Sequence, residues 1–140
     1  MADQKTIKKL IETAVEMTKM SYAPYSEFQV GAALLAKDGR IFTGCNVENA
    51  AYSPTNCAER TAFFKAVSEG AREFEAIAIA GGKNGVITKP IAPCGVCRQV
   101  MMEFCDPKTF KIYMAGASEY FEQATLEKLL PGGFGPADLA

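Results

Sequence analysis

The sequence contains no histidine. Any metal site in this chain must therefore be built from cysteine, aspartate or glutamate. Long apolar runs are also missing. The longest uninterrupted stretch of apolar residues and glycine, Val30 to Ala36, is far short of the roughly 20 residues that a membrane-spanning helix needs. Neither sign of charge dominates: 15 basic residues face 16 acidic ones, which argues against a polyanionic partner, since nucleic-acid binders carry a basic patch or stripe. There is no run of like charges, no internal repeat and no low-complexity segment. The first twenty residues are charged and periodic, without the continuous apolar block of a signal peptide. These absences predict a cytoplasmic chain with no membrane and no nucleic-acid partner.

What remains is a chain of 140 residues, 49% of them apolar. That is the length of one domain, 1–140, with enough apolar material for one core. Five cysteines in a cytoplasmic chain point to metal binding or catalysis before disulfides.

Periodicity supplies the elements. Residues 3–20 place Ile7, Leu10, Ile11, Ala14, Val15 and Thr18 on one helical stripe, with Asp3 as N-cap. Phe28 to Ala36 and Ile41 to Asn46 form a hairpin around Lys37-Asp38-Gly39-Arg40. Cys57 to Glu69 is helical and ended by Gly70. A strand over Glu75 to Ala80 runs into Gly81-Gly82. Gly95 to Phe104 is a helix, Phe110 to Met114 a strand and Tyr120 to Ala124 another. The connection between these two strands is too short for a crossover and predicts an antiparallel hairpin. Thr125 to Leu130 is a final helical turn or two, and the tail from Pro131 to Pro136 is extended or irregular. Helices alternating with strands predict a three-layer α/β/α sandwich around a mixed five-stranded sheet.

Two of the helix starts carry chemistry. Pro93-Cys94-Gly95-Val96-Cys97 is a CxxC, which alone reads equally as a redox pair or as half a zinc site. Cys57-Ala58-Glu59 opens another helix. Helix N-termini present free N–H groups and partial positive charge, which favour thiolate over thiol. Three thiolates leave the fourth tetrahedral position of zinc open for water, as catalytic sites do. Cys105 lies about 12 Å further along the same helix as Cys97, too far for sulfurs that share one metal at roughly 4 Å separation. Cys45 is not removed by this argument. A fourth ligand would make a closed, non-enzymatic structural zinc module. A thiol–disulfide protein built on Cys94 and Cys97 would leave Cys57 and Glu59 without a purpose.

At these residues the chain resembles the cytidine deaminase family. Cys57-Ala58-Glu59-Arg60 and Pro93-Cys94-Gly95-Val96-Cys97-Arg98-Gln99 match the three-cysteine version of the zinc deaminase signature, whose glutamate is not a ligand. Tyr25 to Leu34 resembles the family's first strand, Gly44 to Tyr52 its nucleoside-binding segment, and Leu129 to Phe134 the ending of its short, homotetrameric branch.

The resemblance implies hydrolytic deamination of cytidine and deoxycytidine to uridine and deoxyuridine in pyrimidine salvage. It implies one Zn2+ per subunit on Cys57, Cys94 and Cys97. A zinc-bound hydroxide would attack C4, with Glu59 carrying the protons. Arg60 would hydrogen-bond the ligand sulfurs, offsetting the net negative charge that three thiolates give the metal. Asn46 and Glu48 would bind the ribose, which lets a site reject the free base. Phe28 reads either as a ring beside the pyrimidine or as plain strand core. Tyr52 is placed against the substrate or a neighbouring subunit. Phe134 reads either as folded back on its own domain or, as in the tetrameric branch, as reaching an adjacent subunit's site. That branch implies a homotetramer with shared active sites. A nucleoside-antibiotic deaminase of the blasticidin type is the alternative activity, and the Asn46 to Tyr52 segment favours cytidine over it.

Overall fold

The computed structural model describes residues 2–140. The first helix, α1, spans Gln4–Met17, and a 3-10 turn over Thr18–Met20 continues it. Asp3 is its N-cap, with Oδ1 accepting the Thr6 N–H at 2.8 Å. Strands β1 (Phe28–Ala36) and β2 (Ile41–Cys45) form the expected hairpin. Its turn uses Gly39 at φ 95°, a conformation that costs glycine little because it has no Cβ. Helix α2 (Ala58–Ser68) is followed by Gly70 at φ 96°. Then come β3 (Phe74–Lys83), α3 (Gly95–Phe104), β4 (Lys111–Ala115), β5 (Phe121–Thr125) and the short α4 (Leu126–Leu129).

The sheet has five strands in the order β2-β1-β3-β4-β5. Strand β1 runs antiparallel to both β2 and β3, β3 is parallel to β4, and β5 is antiparallel to β4. Consequently β2, β3 and β4 point the same way. The two connections between them, β2-α2-β3 and β3-α3-β4, each leave from the carboxyl end of such a strand. Both helices therefore begin at one end of the sheet, where open α/β sheets place their ligands. This is why two motifs far apart in sequence open helices side by side.

Alternation along the strands sorts the two cores. Ile77 and Ile79 of β3, Ile112 and Met114 of β4, and Leu34 of β1 face α2 and α3, together with Phe63, Phe74 and Phe110. Ala76, Ala78 and Ala80, with Ala33 and Leu35, floor the other face, which α1 covers with Ile7, Leu10 and Ala14. Two glycines let helix backbone lie against the sheet. A Cβ on Gly31 would sit 2.1 Å from the Ala14 carbonyl oxygen of α1. A Cβ on Gly44 would sit 2.3 Å from the Ala58 carbonyl oxygen in the first turn of α2.

One segment departs from expectation. Strand β3 does not stop at Ala80 but carries Gly81 and Gly82 to Lys83, paired with Phe28, Gln29 and Val30. These glycines are there for close approach, not for a turn: a Cβ on Gly82 would lie 1.9 Å from the Val86 carbonyl oxygen. In the tail, Pro136–Leu139 forms a 3-10 turn.

Candidate active site

Cys57 is the N-cap residue of α2 and Cys94 that of α3, with Cys97 in the first turn of α3. Their sulfurs meet. Cys57 and Cys94 are 3.7 Å apart, Cys94 and Cys97 are 3.4 Å apart, and all three lie within 4.8 Å of one another. Sulfurs sharing one tetrahedral zinc are separated by about 3.8 Å, so the trio fits that ion. Among the described residues it is the group of three or more potential ligands close enough to hold a metal. Cys45 instead directs its thiol to the Met20 carbonyl at 3.4 Å, and Cys105 is buried in the core beyond α3. Among the described residues no fourth cysteine sulfur joins the trio.

The electrostatics fit a cation as well. The Cys57 thiol is held well below its ordinary range by the Cys97 thiol hydrogen-bonding to it and, against its partial burial, by the Arg60 guanidinium. Cys97 is pushed up, because it is the donor to Cys57 and is buried. A cation bound among these sulfurs favours the thiolate form. Arg60 Nη2 reaches Cys57 Sγ at 3.3 Å. Burial disfavours its charge, yet the sulfurs of Cys57 and Cys97 more than restore it. Its Nε–H is buried without a hydrogen-bond partner, a donor left unpaired on the same guanidinium.

Glu59, two residues after Cys57, is 5% exposed. Burial pushes its carboxyl up to about 7, opposed by its own backbone N–H and reinforced by the Cys57 sulfur. A buried carboxyl beside the sulfur trio has the chemistry of a proton carrier.

The segment after β2 is stitched to this centre. Val47 and Asn56 exchange backbone hydrogen bonds at 3.0 and 2.9 Å, and Asn56 immediately precedes Cys57. Asn46 is 8% exposed. Its side-chain oxygen accepts the Val30 N–H at 2.9 Å and the Ser21 hydroxyl, and its amide donates to the Phe28 carbonyl at 2.8 Å. One amide hydrogen of Asn46 remains for another acceptor. Glu48 accepts the N–H groups of Tyr25 and Ser26 at 3.0 and 3.1 Å and the Ser26 hydroxyl. These bonds hold its carboxylate below the usual range. Glu48 and Tyr52 line a cleft of about 370 Å³ with Tyr25, Ser26 and Thr55. Tyr52 is exposed, at φ 63°, with its ring edge-on to Tyr25 at 6.3 Å. Phe28 lies across Gly81, where an added Cβ would meet both its ring and Ile91, on the loop leading to Cys94.

Phe134 is not among the residues lining that cleft. The residue is 57% exposed, and its carbonyl accepts from Gln99 Nε2 at 2.8 Å. Sequence reasoning gave no role to Gln99, nor to Arg98, whose guanidinium bridges the Pro93 carbonyl at 2.8 Å and the Leu129 carbonyl at 2.6 Å. It also passed over Ser21 and Ser26. The only signal for Arg98 and Gln99 was their place directly after the second CxxC cysteine.

Residues 4–114 match the family model of the cytidine and deoxycytidylate deaminase zinc-binding region. A cytidine deaminase of Sporosarcina psychrophila is 51% identical over 134 residues, covering 96% of this chain and 95% of its own length. One from Halalkalibacterium halodurans is 48% identical over 130 residues, covering 93% and 95%. The crystal structure of the cytidine deaminase from Burkholderia pseudomallei superposes with a TM-score of 0.83 at 45% identity, across 95% of this chain and all of that one.

Proposed function

The chain belongs to the cytidine and deoxycytidylate deaminase family, and from that premise we propose how its own residues carry the reaction. It is a zinc-dependent hydrolase that converts cytidine and deoxycytidine to uridine and deoxyuridine, consuming one water and releasing ammonia. The observation that carries the residue assignment is the meeting of three sulfurs from two helix starts beside a buried carboxyl.

Cys57, Cys94 and Cys97 would hold the ion, which would supply Lewis acidity toward the attacking water. Glu59, its carboxyl held in place by the first turn of α2, would carry one proton of the attacking water to N3 and then the second proton of that oxygen to the departing amine. Arg60 keeps a positive charge on the sulfurs and so moderates the negative charge of the site. The remaining amide hydrogen of Asn46 and the free lone pairs of Glu48 serve the ribose hydroxyls. Their bonds to Val30, Phe28, Tyr25 and Ser26 fix both groups before substrate arrives, which avoids an ordering cost on binding. Phe28 flanks the pyrimidine, and Tyr52 forms the outer rim.

The protein acts as one domain, in the cytoplasm and in pyrimidine salvage, on a free nucleoside and not on nucleic acid. Among the described residues no helix is long and apolar enough to cross a membrane. The assembly is a homotetramer whose sites are shared, with the exposed Phe134 ring presented to a substrate.

An absorbance assay on protein of measured zinc content tests the reading. Cytidine and deoxycytidine should turn over in proportion to zinc, and free cytosine should be far slower, because the ribose-binding groups would be left unpaired. Cytosine turned over as fast as cytidine would remove the roles of Asn46 and Glu48. Full activity in metal-free protein would remove the whole assignment.

A further inference from the structure

We propose that Gln99 is the positioning residue for Phe134: it fastens the C-terminal tail to the helix that carries two metal ligands and thereby sets where the Phe134 ring is presented. The proposal rests on the reading above that Phe134 serves the substrate.

The tail leaves the body after α4, and its start is held firmly. Arg98 Nη1 donates to the Leu129 carbonyl at 2.6 Å, while Nε of the same guanidinium donates to the carbonyl of Pro93, the residue before Cys94. Beyond Leu130, one hydrogen bond among the described residues joins tail and body: Gln99 Nε2 to the Phe134 carbonyl at 2.8 Å. The tail's remaining hydrogen bonds run between residues 130 and 140, such as Gly133 N–H to the Leu130 carbonyl and Gly135 N–H to Asp138 Oδ2.

Packing supports the same contact. Gln99 and Met102 are three residues apart on α3 and share its outer face. A Cβ on Gly133 would lie 3.1 Å from Met102 Sδ, and one on Gly135 would lie 3.0 Å from Met102 Cε. The glycines on either side of Phe134 thus let its backbone lie flat on α3. The Phe134 carbonyl is held while the residue as a whole remains 57% exposed. An aromatic serving its own core would show the reverse. Gln99 also stands about 200° around the helix from Cys97. Cys97 is buried and Gln99 exposed, so changing Gln99 leaves the metal ligand's surroundings in place.

The sequence has no tryptophan, so Phe134→Trp places a single indole in the tail of the zinc-loaded, full-length protein. Gln99→Glu keeps the size of the side chain but replaces the donor with an acceptor, and Gln99→Lys keeps a donor. With Gln99 present, the introduced indole should show higher anisotropy and a lower acrylamide quenching constant than with Gln99→Glu. Adding Gln99→Glu should free it. With Phe134 in place, Gln99→Glu should raise KM for cytidine about three- to tenfold, the worth of one hydrogen bond. Its kcat should change less than about twofold, its zinc content should be unchanged, and Gln99→Lys should recover part of the loss.

Unchanged quenching and unchanged KM in Gln99→Glu overturn the proposal, as does a fall in kcat accompanied by zinc loss. Deleting residues 131–140 separates the two readings. If deletion raises KM while Gln99→Glu does nothing, the tether is wrong and the role of Phe134 stands. If Gln99→Glu frees the indole but deletion leaves KM unchanged, the role of Phe134 fails, and the positioning proposal fails with it.

Discussion

On one face of the sheet α1 lies over the alanines of β3 and over Gly31; on the other, α2 and α3 lie over Ile77 and Ile79, and α2 over Gly44. Both faces are dry, both are covered by helix, and each needs a glycine where helix backbone touches strand. They differ in what the helices point at. Helix α1 is capped by Asp3, whose side chain accepts the Thr6 N–H. Helices α2 and α3 open together, capped by cysteines that make no side-chain capping bond. An N-terminus capped by Asp3 has one of its orphan N–H groups satisfied. The two capped by sulfur keep their donors and partial charge for the site. Burial and packing alone thus do not mark the functional face; the chemistry of the helix starts does.

Substitutions can break or sharpen that contrast, and the largest effect should come from the reacting face. Glu59→Gln should retain zinc and fold while losing turnover by about 10²–10⁴-fold, the usual worth of general acid–base catalysis. Near-normal kcat in zinc-loaded protein would end the proposed role. Arg60→Gln should loosen zinc and lower kcat by about 10–100-fold, as losses of outer-shell partners do. Zinc release to a chromogenic chelator and steady-state rates at saturating zinc would separate the two effects.

The paired glycines give the sharpest comparison. Gly31→Ala and Gly44→Ala both force a methyl into helix backbone, so each should cost about 1–3 kcal/mol in denaturant unfolding. Only Gly44→Ala displaces the turn that carries Cys57 and Glu59, so it alone should also reduce zinc retention and kcat per bound zinc. Equal catalytic loss in both would mean that the faces are not independent. The smallest effect belongs to Cys45→Ser. Zinc content should be unaltered and stability should move by no more than about 0.5 kcal/mol. A zinc-depleted Cys45→Ser protein would reopen a four-ligand site.

Much of this was legible in the sequence, for local reasons. Strand β1 lies where apolar density and the flanking turns put it, at Phe28–Ala36. Asp3 caps as its side chain allows, and the sulfur trio is implied by two helix starts and the absence of histidine. What escaped depends on contacts between distant segments. Gly81 and Gly82 read as a break because a glycine pair usually is one; here they continue β3 because the chain at Val86 crosses over them. The bonds of Asn46 to Ser21 and Val30, and of Glu48 to Tyr25 and Ser26, span many residues. No local pattern records that these polar groups brace a loop. Arg98 and Gln99 look like ordinary surface residues of an amphipathic helix until the tail is seen to lie on them.

The crossing pattern of β2-α2-β3 and β3-α3-β4 has a consequence for the order of assembly. A nascent chain that has emerged only as far as Lys83 possesses the central strand β3 and the flank formed by β1 and β2, but a single one of the trio of thiols. It can lay down most of its hydrophobic interior, yet it has nothing with which to grip the ion securely. Metal capture is thus deferred until translation has passed the second crossover, and a loaded centre certifies that both halves of the polypeptide have docked.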